Sequence, residues 1–278
     1  MHNLYLPEVD ARLRYHDLPG EKTPCVFLHG LGSASSADFP RVVRDPRLAS
    51  HRAVLIDLMG FGFSDHPETF THTLEAHAET VASVLDHVGL KQCHVVGHSM
   101  GGSIAIALAD ARPDLVSGLV VAECNLDPED ATFSQTIVDL APTEEDYVAW
   151  GHAEIVDQAE DLAATDSIGG SFPGTMRAAD PRAIYRCSQA LVSCRLRETF
   201  FGLSTPRTYV FGERSLPHHH LSMLEAGGIP VGVIPKAGHT MVLETPEAFA
   251  AIVASTLSGD EIPPTYRLSD APAHSFSA

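Results

Sequence analysis

The sequence predicts an α/β protein in which a mostly parallel sheet is covered by helices on both faces. Short apolar runs alternate with helical periodicity through residues 1–124, as in a chain of strand–helix units. From Asn125 to Leu203 the pattern is helical, and two further strand patterns follow it. We therefore expect one core from residues 1–124 and 204–258, with residues 125–203 inserted as a helical lid. Such an insertion would lie above the ligand site at the carboxyl edge of the sheet.

The first core segment contains five predicted strands and two predicted helices. The strands are Ala11 to His16, Cys25 to Leu28, Ala53 to Asp57, His94 to Gly97 and Leu119 to Ala122. Leu74 to Val88 is predicted as a helix because its apolar residues recur every three or four positions, and Gly89 is placed to end it. A second helix of small residues is predicted over Ser99 to Ala111 and stops near Pro113.

The rest of the chain is predicted to hold the lid, two strands and a closing helix. Helices are predicted around Phe133 to Leu140 and Arg182 to Phe200. Strands are predicted at Tyr209 to Gly212 and Val231 to Ile234. Thr245 is the expected cap of the closing helix, with Pro246 and Glu247 in its first turn. Residues 259–278 contain three prolines and are expected to form a loose tail.

Charge and hydropathy exclude some classes of partner. The formal net charge of −18 disfavours nucleic acid and anionic membrane surfaces. No apolar run approaches the ~20 residues of a membrane helix, and the start at Met1 has no secretory signal, which favours a cytoplasmic protein. Between Pro113 and Met176 there is no Lys or Arg. We interpret this segment as acidic helix faces that pair with the arginines of the following residues, 177–197.

The cysteines and histidines do not form a recognisable metal pattern. The five cysteines, Cys25, Cys93, Cys124, Cys187 and Cys194, are odd in number and have no metal-type spacing, so we expect reduced, packed thiols. His218, His219 and His220 are adjacent and have no carboxylate or cysteine at ligand spacing. A solvent-exposed loop is the favoured interpretation, and no metal site is predicted.

The strongest functional motif is Gly97-His98-Ser99-Met100-Gly101, which lies between a predicted strand and a predicted helix. This context is that of a nucleophile elbow, whose tight turn requires small residues two positions either side of the nucleophile. Gly97 and Gly101 meet the requirement. Ser99 would project from the sheet edge at the amino end of the helix, where developing negative charge is stabilised.

Two further loops complete a candidate site. His29-Gly30-Leu31-Gly32 follows a strand, so the backbone N–H groups of Leu31 and Met100 are the candidate oxyanion donors. A serine needs a base that takes its proton, and His239 occupies a loop between a strand and a capped helix. His98 adjoins the nucleophile, but its side chain is expected to point elsewhere.

These motifs resemble the α/β-hydrolase fold superfamily over nearly the whole core. The matching stretches are His29 to Gly32, Asp57 to Asp65, Gly97 to Gly102 and Gly238-His239. The resemblance implies an eight-stranded, mostly parallel sheet flanked by helices, a Ser–acid–His triad and no cofactor. It also implies that the Asp57 to Asp65 turn is structural. It does not determine the substrate.

The acid departs from the commonest pattern of that superfamily, in which an Asp lies three residues after the glycine that ends the penultimate strand. Here the glycine is Gly212 and the third residue is Ser215. Glu123, at the carboxyl end of a strand, is favoured as the acid because some relatives use that position. Glu213 is the alternative beside the usual site, and Asp127 is more consistent with a helix start.

The resulting expectation is two-step acyl transfer to Ser99 with His239 as base and Glu123 as its carboxylate, acting on an ester of a small or medium apolar acid. A thioesterase, a lactonase or a C–C bond hydrolase could use the same triad. A rival from another class is a non-catalytic binding protein for a small apolar ligand. The displaced acid is the one feature in its favour, and the intact serine and histidine argue against it. A serine nucleophile argues against dehalogenase and epoxide hydrolase chemistry. The oligomeric state is left open.

Overall fold

The computed structural model describes residues 1–165 and 171–267, which contain a single eight-stranded sheet. Its strands are β1 His2–Leu6, β2 Ala11–Leu18, β3 Lys22–Leu28, β4 His51–Asp57, β5 Cys93–His98, β6 Val116–Ala122, β7 Arg207–Gly212 and β8 Val231–Ile234. The order is β1-β2-β4-β3-β5-β6-β7-β8. β2 pairs antiparallel with β1 and β4, and the other five pairings are parallel. The predicted α/β class is confirmed.

Strand β1 was not anticipated from the sequence. It lies at the edge of the sheet, and most of its side chains are exposed, so it lacks the apolar run that marks the buried strands. The buried strand β3 shows the opposite pattern. Val26 and Leu28 pack into the apolar core on one face of the sheet, and Cys25 and Phe27 into the core on the other. A strand with both faces buried reads as a continuous apolar run.

Thirteen α-helical segments are present among the described residues. They are α1 Ser35–Asp38, α2 Pro40–Val43, α3 Leu74–His87, α4 Met100–Ala111, α5 Thr132–Leu140, α6 Glu144–Asp146, α7 His152–Thr165, α8 Phe172–Ala178, α9 Pro181–Val192, α10 Arg197–Gly202, α11 Leu221–Ala226, α12 Met241–Glu244 and α13 Pro246–Ser258. Helices α3 and α4 contribute to the core on one face of the sheet, and α2 and α13 to the core on the other. Helix α3 is capped by the Thr73 side chain, and Gly89 follows it with φ +68°. None of these helices is both long and apolar enough to cross a bilayer.

The segment between β6 and β7 is helical where it is described, and one predicted helix within it is in fact two. The expected stretch Arg182 to Phe200 is divided into α9 and α10. The chain leaves α9 at Ser193, and the N–H groups of Leu196 and Arg197 donate to the carbonyl of Leu126 at 2.8 and 3.1 Å. These tertiary hydrogen bonds replace the helical ones, so periodicity alone could not locate the break.

Ion pairs connect the acidic part of the inserted segment to its later arginines, as the charge pattern predicted. The Arg186 guanidinium makes two hydrogen bonds to the Glu144 carboxylate, at 2.6 and 2.7 Å. The same side chain donates to the carbonyls of Glu68 and Phe70 at 2.8 Å. Arg177 pairs with Glu160. The Arg186 contacts attach the insertion to the loop before α3, and this bidentate geometry contributes more than a single exposed pair.

The closing helix and the residues after it differ in detail from expectation. Thr245 occupies the N-cap position of α13, but its hydroxyl donates to the Met241 carbonyl at 3.3 Å and does not cap the helix. Residues 259–267 include a 3₁₀ turn at Pro264–Tyr266, and Arg267 forms an isolated antiparallel bridge with Gly232. The remainder of the predicted loose tail, residues 268–278, lies outside the described residues. All five cysteines are described, and each is a buried free thiol.

Candidate active site

Ser99 lies in a sharp turn between β5 and α4, with φ +51° and ψ −126°. A non-glycine residue rarely adopts such a positive φ, and the surrounding structure must hold it there. The backbone is crowded on both sides of the turn. A Cβ at Gly97 would collide with the Gly101 carbonyl, and one at Gly101 with the Leu28 carbonyl. The expectation that both positions must be small follows directly from this close approach.

Backbone hydrogen bonds anchor the serine at the sheet edge. The Ser99 N–H donates to the Ala122 carbonyl of the neighbouring strand at 2.8 Å, and the Ser99 carbonyl accepts from Gly102 N–H at 2.8 Å. The side chain is half-buried. Met100 is the first residue of α4, so its N–H has no carbonyl one turn earlier within the helix. This N–H therefore lies beside Ser99 at the positive end of the helix dipole.

Glu123 and His239 meet at the same edge. Glu123 directly follows β6 with φ +41°, and its Oε2 lies 2.8 Å from His239 Nδ1. The other carboxylate oxygen, Oε1, accepts a hydrogen bond from Gly212 N–H at 2.8 Å. The Glu123 side chain is 9% exposed, whereas that of His239 is 53% exposed. The carboxylate is thus enclosed, while the imidazole keeps an open side.

The environment of Glu123 favours its ionised form. Burial by itself would raise the pKa of the carboxyl group. Hydrogen bonds from His239, Gly212 and Ser215, together with the charge of His239, outweigh burial and bring that pKa below its ordinary value. Ser215 occupies the position where the commonest pattern places the acid, and here its hydroxyl stabilises the carboxylate supplied by the adjacent strand.

The other two candidate acids are engaged elsewhere. Glu213 Oε2 accepts a hydrogen bond from Lys236 N–H at 2.8 Å, so this side chain closes the turn after β8. Asp127 is the N-cap of a 3₁₀ turn and pairs with Arg197. Of the three candidates, Glu123 is the one whose carboxylate contacts His239. The interpretation of Asp127 as a residue at a helix start agrees with its position.

His98 has a positioning contact that sequence reasoning did not identify. Its Nε2–H donates to the His239 carbonyl at 2.7 Å, and the two rings are 4.9 Å apart. Burial lowers the pKa of His98 to about 3, so the ring is neutral near pH 7. The side chain therefore holds the backbone of the His239 loop. The two residues are 141 positions apart, so no local spacing could reveal the contact.

The loop of the candidate oxyanion donors passes close to Ser99. A Cβ built on Gly30 would lie 3.2 Å from the Ser99 Cβ, so the backbone before Leu31 runs beside the serine. Buried His29 fixes this loop: its Nδ1–H donates to the Gly30 carbonyl at 2.8 Å, and its Nε2 accepts from Leu58 N–H at 3.0 Å. The loop that contains Leu31 is therefore fixed in place where it passes Ser99.

Asp57 organises the turn that follows β4. Its carboxylate accepts hydrogen bonds from the Ser36 N–H, the Ser36 hydroxyl and the Phe63 N–H, at 2.8 to 3.1 Å. These contacts support the structural role expected of the Asp57 to Asp65 stretch.

Helix α8 of the inserted segment packs on the loop beside Ser99. A Cβ on Gly32 would collide with the Met176 methyl group and lie 3.5 Å from the Phe172 ring. Phe133 of α5 contacts Phe172 with ring centroids 6.3 Å apart. Trp150, in contrast, is 46% exposed. The insertion thus places apolar side chains of α8 next to the candidate site, whereas its tryptophan faces solvent.

The expectation of an exposed loop at His218, His219 and His220 is wrong for His220. That side chain is fully buried, and its Nε2 lies 2.8 Å from Asp130 Oδ2. The premise that no carboxylate accompanies the histidines also fails. Asp130 is 90 residues earlier in the chain, and the parallel pairing of β6 with β7 brings the two loops together.

Comparison with known proteins agrees with this architecture. A family model described as alpha/beta hydrolase fold matches residues 23–151. The chain is 36% identical over 114 residues to a 2-hydroxy-6-oxononadienedioate/2-hydroxy-6-oxononatrienedioate hydrolase of Paraburkholderia phymatum. That match spans 40% of this chain and 40% of the relative, so it covers less than half of either protein.

Two solved structures extend the likeness over the whole fold. The enol-lactonase of Burkholderia xenovorans superposes with a TM-score of 0.76 at 18% identity, covering 92% of this chain and 100% of its own. A thermophilic esterase of Thermogutta terrifontis gives 0.75 at 20% identity, covering 93% and 99%. The sheet order, the turn at Ser99 and these matches lead to one conclusion: the chain has the α/β-hydrolase fold, and its residues 23–151 match the model of that family.

Proposed function

We propose that the protein is a serine hydrolase that cleaves an ester-type bond of a small or medium apolar substrate through an acyl-enzyme. The observation that carries the proposal is the 2.8 Å contact between Glu123 Oε2 and His239 Nδ1 at the edge where the Ser99 turn lies. A carboxylate on Nδ1 holds the imidazole in the tautomer whose Nε2 can accept a proton.

In the proposed reaction, Ser99 Oγ attacks the substrate carbonyl carbon and its proton passes to His239 Nε2. The oxyanion that forms accepts hydrogen bonds from the backbone N–H groups of Leu31 and Met100. His239 then donates its proton to the leaving alcohol. Water, deprotonated by the same imidazole, attacks the acyl-enzyme and releases the acid and free Ser99.

Glu123 assists by charge and by position. Its lowered pKa keeps it ionised near neutral pH, so it can stabilise the imidazolium that forms when His239 takes the proton. The hydrogen bonds from Gly212 and Ser215 keep the carboxylate in place during turnover. The His98 contact to the His239 carbonyl restrains the other partner.

The polarity of the insertion favours an uncharged acyl group. The sequence has no Lys or Arg between Pro113 and Met176, and Arg177, the first that follows, pairs with Glu160. Phe172 and Met176 supply apolar surface beside the turn at Gly32. An apolar acyl chain would gain contact area against these two side chains, whereas a carboxylate on the chain would lose its hydration there. In this proposal the inserted helices act as a lid.

A second candidate is hydrolysis of a C–C bond by the same triad. The observation favouring it is the 36% identity over 114 residues to a hydrolase named for a 2-hydroxy-6-oxononadienedioate. That substrate is a dicarboxylate and would need cationic partners. Residues 114–175 contain no Lys or Arg, so this part of the chain does not supply such cationic partners. We therefore rank ester cleavage first.

A fluorophosphonate probe followed by substrate competition tests the proposal. We expect stoichiometric labelling of the wild-type chain at Ser99, and none in Ser99→Ala, because only an activated serine reacts with the probe. Matched p-nitrophenyl esters with neutral and ω-carboxylate acyl chains then test substrate class, with 2-hydroxy-6-oxononadienedioate in parallel. Faster turnover of neutral esters supports ester cleavage.

Other outcomes decide among the alternatives. Preferred turnover of the dienedioate would replace ester cleavage by C–C hydrolysis. A folded protein that neither labels nor turns over any ester would favour the non-catalytic binding protein.

A further inference from the structure

A second histidine–carboxylate cluster lies outside the proposed catalytic residues. The Nε2 atoms of three consecutive histidines surround the carboxylate of Asp130. His219 Nε2 is 3.1 Å and His218 Nε2 is 3.9 Å from Asp130 Oδ1, and His220 Nε2 is 2.8 Å from Asp130 Oδ2. One ligand atom from each of the four residues can be chosen so that all lie within 4.8 Å of one another.

The two oxygens of the Asp130 carboxylate differ in their hydrogen bonding. Oδ2 accepts hydrogen bonds from the N–H groups of Leu126 and Asp127, at 2.8 and 2.9 Å, and from His220. Oδ1 is buried and has no hydrogen-bond partner among residues 1–165 and 171–267. A buried carboxylate oxygen without a partner is costly, so it requires an explanation. It faces two imidazole nitrogens that do not satisfy it.

We propose that Asp130 Oδ1, His218 Nε2 and His219 Nε2 bind a divalent transition-metal ion of the Zn²⁺ class. Imidazole nitrogen and carboxylate oxygen bind Zn²⁺ at about 2.0–2.2 Å, which places neighbouring ligand atoms of a tetrahedral site roughly 3.3 Å apart. The distances of 3.1 and 3.9 Å from Asp130 Oδ1 bracket that spacing. Small side-chain rotations would complete the site.

His220 is assigned a positioning role. Its buried Nε2 bonds to the oxygen of Asp130 that does not face the ion, which is the arrangement by which a neighbouring group orients a ligating carboxylate. The His219 side chain is 48% exposed, which gives the ion a route from solvent and leaves room for water as a fourth ligand.

The site would link the loop after β6 to the loop after β7. Glu123, the proposed triad acid, lies in the first loop, and Ser215 of the second donates a hydrogen bond to it. Asp130 ends the 3₁₀ turn Pro128–Asp130, seven residues after Glu123, and the histidines follow Ser215 in the loop after β7. An ion between these loops would stabilise the folded state, because the unfolded chain does not present the ligands together. Its expected effect is on stability rather than on the chemical step.

A competing cluster has different chemistry. His72 Nδ1, His77 Nε2 and Cys187 Sγ lie close together, with His77 Nε2 3.3 Å from the first and 3.5 Å from the last. All three side chains are buried, and burial raises the pKa of the Cys187 thiol, which disfavours the thiolate that a metal needs. A Co²⁺ complex at that site would show thiolate charge-transfer absorption, which the Asp130 site cannot show.

The test uses untagged, chelator-treated protein and calorimetric titration with Zn²⁺. We expect one saturable equivalent, a higher melting temperature with the ion, and a Co²⁺ spectrum without thiolate charge transfer. His219→Ala should weaken binding at least about a hundredfold, since a half-exposed ligand is lost without disturbing the core. His220→Gln should weaken it about 10- to 100-fold, as expected for a group that orients a ligand. His87→Ala, which removes an exposed histidine elsewhere, should leave binding unchanged.

Several results would overturn the assignment. Absence of a saturable equivalent in the wild-type chain would do so, and so would wild-type affinity in His219→Ala. A thiolate band lost in Cys187→Ser would move the ion to the other cluster. Circular dichroism of each variant establishes that lost binding is not lost folding. Serine labelling by the fluorophosphonate probe is read separately, so failure here leaves the proposed hydrolase function untouched.

Discussion

Two histidine–carboxylate pairs lie in loops of this protein, and their local geometry is nearly the same. Glu123 and Asp130 both follow β6, and each lies 2.8 Å from an imidazole nitrogen. His239 comes from the loop after β8, and His220 from the loop after β7. Distance alone would not distinguish the two pairs.

Their surroundings differ. The His239 side chain is 53% exposed and shares its edge of the sheet with Ser99, whereas the His220 side chain is fully enclosed. Glu123, the partner of His239, accepts a hydrogen bond from Gly212 at the end of β7. Asp130, the partner of His220, lies in a 3₁₀ turn. Solvent access and a nearby nucleophile, rather than the histidine–carboxylate pair itself, therefore distinguish a candidate base from a structural or ligating histidine.

The largest expected effect concerns the nucleophile, which the His239 region has and the His220 region lacks. Ser99→Ala should lower kcat for an ester by about a thousandfold or more, because no oxygen remains to form the acyl-enzyme. The melting temperature should change little, since the half-buried hydroxyl is a small group. Near-normal esterase activity in this variant would show that the assigned nucleophile is wrong.

The second prediction separates the carboxylates. Glu123→Gln should reduce kcat at least about a hundredfold with little change in KM, because the imidazolium loses its charged partner in the transition state. Glu213→Gln is the matched control, since its carboxylate bonds to Lys236 N–H, and it should lose much less. His220→Gln should also leave kcat within a few-fold of wild type. Steady-state kinetics measures all three, and a larger loss in Glu213→Gln would transfer the role of the acid.

The third prediction concerns burial of histidines and the stability of the folded state in acid. Burial lowers the pKa of His72 and of His98 to about 3, against about 6.5 in the unfolded chain. Between these values the unfolded state binds protons that the folded state does not, so stability falls as the pH is lowered from about 6.5 towards 3. Each such histidine contributes at most about 1.4 kcal/mol per pH unit.

Urea unfolding at pH 7, 6, 5 and 4 measures that dependence. In His72→Gln, the unfolding free energy should fall by about 1 kcal/mol less per pH unit than it does in the wild-type protein. An unchanged slope in this variant would show that His72 is not held neutral in the fold.

The smallest expected effect is on substrate choice. It tests whether the inserted helices contact the substrate beside the exposed Glu123–His239 pair. Phe172→Ala should change the ratio of kcat/KM between short and long acyl esters by about tenfold, within the 1–3 kcal/mol of a pocket contact. Trp150→Ala removes an aromatic ring that is 46% exposed and serves as the control, with a ratio near wild type. Equal losses for every ester in Phe172→Ala would count against its position at the pocket.

Elements with a local cause were predictable from the sequence. Helix α3 follows from a repeated apolar spacing, a cap at Thr73 and a glycine after its end. The turn at Ser99 follows from Gly97 and Gly101, because only small residues permit so close an approach of backbone. The loops of Leu31 and His239 follow strands, and strands that run parallel bring their carboxyl ends to one edge of the sheet.

Other features depend on contacts between distant residues. The two helices α9 and α10 are separated by hydrogen bonds to Leu126, and the role of His98 depends on a carbonyl 141 residues away. Both Glu123 and Glu213 follow strands, so position in the chain could not choose between them. Tertiary structure makes the distinction, because Gly212 and Ser215 hold one carboxylate against His239.

The three consecutive histidines show most clearly how sequence-based prediction fails where contacts between distant residues decide the structure. Read alone, they lack a carboxylate at ligand spacing, because Asp130 is 90 residues away. Pairing of β6 with β7 places the carboxylate among the imidazoles and buries one of them. Periodicity and short-range backbone geometry were sufficient to predict strands β2 to β8 and the serine turn, whereas the exposed edge strand β1 carried no such signal. Which charged groups meet could be seen only in the folded protein, because burial and pairing energies arise from neighbours that the chain brings together on folding.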